Sequence, residues 1–132
     1  MAKILFRTSG GRITKKELGL GHIFRCINLS NQFQNHKIQF LIEDYGSVSS
    51  ILKNHGFKNI FNLNPGISDD FDIKQTLDYI LKNNIDLLII DKYGLTNKYV
   101  QAVKKFVKTI VISDLKNISY DADLIINGFI GF

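Results

Sequence analysis

The run Asp86-Leu87-Leu88-Ile89-Ile90-Asp91 (DLLIID) sets four consecutive apolar side chains between two acids. It is short for a buried helix, and it lacks the alternation of a strand with one wet face. It fits a parallel strand covered on both sides. On its N-terminal side, Ile73, Leu77, Ile80 and Leu81 recur at i, i+4, i+7 and i+8, the stripe of an amphipathic helix. On its C-terminal side, a helix over Asn97 to Lys105 leads into Thr109–Ser113 (TIVIS), a fifth strand, and Asp123–Asn127 (DLIIN) adds a sixth.

The same alternation holds toward the start. Lys3–Thr8 (KILFRT) is the first strand, and a glycine-containing loop is expected from Ser9 to about Leu20. A helix from Gly21 carries Ile23, Ile27 and Phe33, and ends at Gln34-Asn35. Lys37–Ile42 (KIQFLI) is the second strand, a helix near Tyr45 to Asn54 ends at Gly56, and Asn59–Leu63 (NIFNL) is the third strand before the turn Asn64-Pro65-Gly66. Strands alternating with helices imply an α/β fold, an open Rossmann-like parallel sheet with helices on both faces. The expected strand order is 3-2-1-4-5-6, with the ligand crevice at the carboxyl ends of strands one and four.

The 132 residues fit one domain. The net charge of +5 suits an anionic ligand such as a nucleotide diphosphate. The lysines are scattered, as in an AT-biased composition, so a nucleic-acid partner is not expected. Cys26 alone excludes an internal disulfide and reads as a small buried thiol on the first helix. His22, His36 and His55 have no metal-ligand spacing with Cys26, so no metal site is expected. No apolar run reaches the roughly 20 residues of a membrane span and no signal-peptide stretch opens the chain, which makes the cytoplasm the expected location.

Two segments carry candidate chemistry. In Gly19-Leu20-Gly21-His22, glycine permits positive φ and close approach of the backbone to a ligand, and the helix start offers unpaired N–H groups to an anion. A histidine at that place is expected to stay neutral and serve as a general base, with Arg25 one turn on; a solvent-facing histidine fits equally well. Asp91, followed by Lys92-Tyr93-Gly94, can orient an imidazole or bind a hydroxyl, and it can equally cap the next helix. Asp114 after the fifth strand shares that ambiguity. The topology alone brings His22 and Asp91 to one crevice. Neither GxxxxGK[ST] nor a proper GxGxxG is present.

KILFRTSG, GLGHIFRCINLSNQF, LLIIDKYGL, IVISDL and DLIIN, in this order, resemble the N-terminal half of the PseG/SpsG-type UDP-sugar hydrolases, which are related in fold to GT-B glycosyltransferases. The most specific segments are GHIFRC (family pattern GHxxR) and DKYGL (family DxYG). The resemblance implies a hydrolase releasing UDP from a UDP-linked 2,4-diacetamido-2,4,6-trideoxyhexose, on the route to pseudaminic acid or a similar nonulosonate. Water would attack the anomeric carbon with inversion. It maps the family's histidine onto His22 and makes Asp91 its catalytic partner, with Arg7, Gly21, Arg25, Tyr93, Gly94 and Asp114 as substrate-binding residues and no cofactor. Two departures stand out: Lys92 replaces the histidine of the family's DHYG, and only the first acid of the pair after strand five remains, in Asp114-Leu115.

The family's C-terminal nucleotide-binding domain is absent from these residues, which end at Gly131-Phe132. The expectation is a single domain over 1–132, a fragment or a free-standing half, working with a second GT-B-like domain in cis or in trans. The rival readings are a GT-B-like glycosyltransferase half and a non-catalytic nucleotide-sugar-binding or assembly domain.

Overall fold

The computed structural model describes residues 1–13, 16–113 and 120–127. Its elements are β1 (Lys3–Ile13), β2 (Lys16–Gly19), α1 (Gly21–Ser30), β3 (Lys37–Tyr45), α2 (Val48–Asn54), β4 (Ile60–Leu63), α3 (Asp69–Asn83), β5 (Leu87–Asp91), α4 (Asn97–Lys104), β6 (Lys108–Ser113) and β7 (Leu124–Asn127). The sheet order is β4-β3-β1-β5-β6-β7, parallel throughout, and β2 pairs antiparallel with the end of β1. Without β2, this is the expected order 3-2-1-4-5-6.

The period-two alternation of the central strands builds two cores. Leu5, Leu41, Leu88 and Ile90 point to one face and meet Ile80 of α3 and Tyr99, Val100 and Val103 of α4. Ile4, Phe6, Phe40, Ile42 and Ile89 point to the other and meet Ile23, Cys26 and Ile27 of α1 and Val48 and Leu52 of α2. Each fully buried apolar side chain contributes about 1.5–3 kcal/mol, which is why a strand apolar at every position belongs at the centre. Residues on opposite faces of β1 and β5 consequently face different helices.

The helix starts follow from local chemistry. The Ser68 hydroxyl accepts from Phe71 N at 3.3 Å, and Asp69, Asp70 and Asp72 occupy the positive end of α3. Thr96 caps α4 by accepting from Tyr99 N at 3.1 Å. Among the described residues no helix is long and apolar enough to cross a membrane.

Two boundaries differ from expectation. The segment expected to be a loop after Thr8 continues as strand to Ile13 and returns as β2, because Ser9, Gly10 and Gly11 keep pairing with Glu43, Asp44 and Tyr45 of β3. Glycine is required at position 11: φ is +106°, and a Cβ there would lie 2.7 Å from Gly46 N. By the same pairing β3 runs to Tyr45, so α2 begins only at Val48.

Candidate functional site

The parallel register sets Thr8 of β1 beside Asp91 of β5. Asp91 shares the face of Ile89, so its side chain points to α1, where His22 and Arg25 stand one turn apart. Arg25 grips the carboxylate as a fork, Nε to Oδ2 at 2.7 Å and Nη2 to Oδ1 at 2.6 Å. His22 Nδ1 lies 2.5 Å from Oδ1. A carboxylate only accepts, so Nδ1 carries a proton, and in the neutral ring Nε2 keeps its lone pair. The 3.1 Å approach of Arg25 Nη2 to His22 Nδ1 is then two donors converging on Oδ1, not a bond between them. The Asp91 side chain is 1% exposed and that of His22 20% exposed, so a buried acid holds a reachable imidazole.

His22 lines a cavity of about 360 Å³ together with Lys92, Tyr93, Gly94, Leu95, Ile112, Ser113 and Tyr120. A second cavity of about 240 Å³ opens across the Lys92–Gly94 turn, walled by Ser9, Glu43, Tyr45, Asp69 and Thr96. The shared wall is shaped by Gly94, whose φ is +72°. It is tied to β1 by the Tyr93 N–H donating to Ser9 Oγ at 3.1 Å.

Beneath this wall, on the α3 face, lies a buried ionic cluster. Arg7 donates to Asp72 through Nε (3.2 Å) and Nη2 (2.7 Å), to Glu43 through Nη2 (2.6 Å), and to the Thr8 carbonyl through Nη1 (2.7 Å). Lys92 Nζ donates to Asp72 Oδ2 at 2.8 Å and sits 4.8 Å from the Tyr99 ring centre. Burial would raise the Asp72 carboxyl, but the Arg7 and Lys92 charges outweigh it and hold it below the usual carboxylate range. Tyr45 donates its hydroxyl to Glu43 Oε2 at 2.9 Å.

No family model matches the chain. An uncharacterised protein of Methanocaldococcus jannaschii, MJ1062, is 28% identical over 120 residues, which are 87% of this chain and 23% of that protein. Among solved structures, MurG of Acinetobacter baumannii superposes with a TM-score of 0.65 over 95% of this chain and 40% of its own, at 12% identity. The fold is a Rossmann-like domain, shared with part of MurG. The chain spans under half of each of these two proteins, and at such identity the MurG likeness speaks for the fold alone.

Within this Rossmann-like domain, His22, Arg25, Asp91, Tyr93 and Gly94 gather at the carboxyl edge. Arg7 does not join them: it is 0% exposed, on the opposite face of β1, and its donors are spent on Glu43, Asp72 and Thr8. Gly21 opens α1 without positive φ, so the conformational reason for a glycine does not operate there, and a Cβ would meet no protein atom within 4 Å. Asp114 lies outside the described residues. Glu43, Asp72 and Ser9 were not singled out from the sequence. The available signal was Arg7 itself, since a cation inside an apolar strand run requires buried acids.

Proposed function

We propose that this domain is the sugar-side half of a UDP-sugar hydrolase, acting on a UDP-linked 2,4-diacetamido-2,4,6-trideoxyhexose. The observation that carries the reading is the buried Asp91 carboxylate directing the reachable His22 imidazole, on the wall of a cavity at the sheet's carboxyl edge. The GHIFRC and DKYGL segments that resemble the hydrolase family are the ones that supply this pair.

In the proposed reaction a water oxygen bonds to the anomeric carbon as the bond from that carbon to the UDP oxygen breaks, with inversion. The water's proton passes to His22 Nε2. Asp91 holds the ring in the tautomer that leaves Nε2 basic and balances the imidazolium that forms. The start of α1, which has no side-chain cap, offers N–H groups to the departing diphosphate. A second GT-B-like domain, in cis or in trans, would supply the uridine contacts.

The test is an NMR time course of the anomeric proton with that domain present. Wild type releases free sugar of inverted configuration plus UDP, and His22→Ala lowers turnover about 10²- to 10⁴-fold. Near-normal turnover of His22→Ala sinks the mechanism. The fold shared with MurG is compatible with one further reading, glycosyl transfer, in which an acceptor hydroxyl replaces water. A glycoside in place of free sugar would identify it.

A further inference from the structure

The charges buried beneath the crevice balance among themselves. Arg7 and Lys92 stand against Glu43 and Asp72, and all four side chains are under a tenth exposed. Asp72 is the hub. Its Oδ1 accepts from Arg7 Nε and from the Thr76 hydroxyl at 3.0 Å, and its Oδ2 accepts from Arg7 Nη2 and Lys92 Nζ. Thr76 in turn meets the Tyr99 hydroxyl at 2.7 Å, and the Tyr99 ring lies against the Lys92 ammonium. Lys92 is therefore held on two sides, by a carboxylate of α3 and by a ring of α4.

Lys92 is also the residue immediately after Asp91. Along the strand end the two side chains diverge, Asp91 toward His22 and Arg25 on α1, Lys92 toward Asp72 on α3. The two residues share one peptide unit, one with its side chain pinned to α3 and the other carrying the carboxylate that selects the His22 tautomer. We propose that Lys92 is a positioning residue: its pairing with Asp72 fixes the turn after β5, and through that turn the Asp91 carboxylate in the geometry that orients His22. The consequence for turnover rests on the reading of His22 as the base; the placement of the ring does not. A short, strongly directional contact such as His22–Asp91 tolerates little displacement, because hydrogen bonds weaken steeply away from their preferred angle. Removing Lys92 also leaves the cluster with one cation against two carboxylates in a dry site, which is costly in itself. The experiment must therefore separate the charge from the tether.

The measurement is ¹⁵N NMR of the His22 ring without substrate, near pH 8, above the ordinary imidazole range of about 6.5. Wild type shows a protonated Nδ1 and a bare Nε2. In Lys92→Met the ratio of the two tautomers falls about fivefold or more, the weight of one hydrogen bond lost. The double variant Lys92→Met/Asp72→Asn restores one cation against one carboxylate. It returns the thermal midpoint toward wild type while the His22 tautomers stay mixed. If Lys92 served only the fold, the His22 signal would return with the midpoint, and that result overturns the proposal. A Lys92→Met protein with the wild-type tautomer overturns it equally, and where the single variant does not fold the double variant decides. The readout needs no turnover, so a failure of the hydrolase reading leaves this result standing, and the reverse.

Discussion

At the residue scale the decisive contact is one carboxylate oxygen shared by two donors. Asp91 Oδ1 receives both His22 Nδ1 and Arg25 Nη2, while Oδ2 receives Arg25 Nε. Asp91→Asn keeps the shape and removes the charge. An amide presents only one oxygen while Arg25 reaches both positions, so either orientation sets the NH₂ against an arginine donor and the three-donor grip is lost. When the oxygen keeps Arg25 Nε, the NH₂ takes the Oδ1 place and donates to His22 Nδ1. The proton then moves to Nε2, the atom that must stay bare. The expected outcome is an inverted tautomer in the ring ¹⁵N spectrum and a fall in turnover of about 10⁴, the loss known when the orienting acid of a histidine base becomes an amide. Normal turnover with an inverted tautomer would remove His22 from the chemistry. Arg25 is sensitive in another way: a lysine there keeps the charge but loses the fork. Cys26 is close by yet inert, since burial pushes its thiol well above the usual range.

At the element scale, α2 shows what residue patterns conceal. Its N-cap, Ser47, has φ of 67° and makes no side-chain cap bond. The capping comes from Asp44 on β3, which accepts from Gly46 N (2.8 Å), Val48 N (3.1 Å) and Ser49 N (3.0 Å). Burial alone would raise this carboxyl; the three backbone donors outweigh it and hold it below its usual range. Asp44→Ala should cost about 0.5–2 kcal/mol in urea unfolding, the range of a lost cap, whereas Asp44→Asn should retain most of the stability at neutral pH. An alanine variant as stable as wild type would show that α2 needs no cap. The helix was legible from the sequence; its first residue was not, because the strand before it extends through long-range pairing with Ser9, Gly10 and Gly11. The same pairing turned an expected loop into the β1–β2 hairpin. Such boundaries depend on a partner strand far along the chain. An apolar stripe is local, which is why α3 contains Ile73, Leu77, Ile80 and Leu81 as expected, and α4 keeps the expected span to within a residue.

At the scale of the whole molecule, the topology was legible because each strand's apolar face matches a helix stripe. The strand order alone brings His22 and Asp91 to one crevice. The buried cluster was not legible, since Arg7, Glu43, Asp72 and Lys92 lie up to 85 positions apart and no local pattern joins them. That cluster has a consequence for the stability of the entire fold. Asp72 titrates lower in the folded protein than in the unfolded chain, where an aspartate titrates near 3.9. A group depressed by folding contributes stability that is complete above its unfolded value and is lost as pH falls through its folded value. Asp44 contributes in the same direction. The urea midpoint should therefore be level from neutral pH down to about 5 and fall steadily below about 4. A second effect also acts there, because acid increases a net charge that is already +5 and the molecule repels itself. Salt separates the two. Repulsion between exposed charges, like the exposed pairs Lys98–Asp70 and Lys104–Asp121, is largely screened by about 0.5 M salt, whereas the buried pairing of Asp72 with Arg7 and Lys92 is not. The acid decline should thus persist at high salt. If salt abolishes it, general repulsion is the cause and the buried cluster contributes little to the acid response. If it persists, protonation of hydrogen-bonded carboxylates is the cause, and at Asp72 it takes from Lys92 its carboxylate partner and leaves Arg7 to Glu43 and the Thr8 carbonyl.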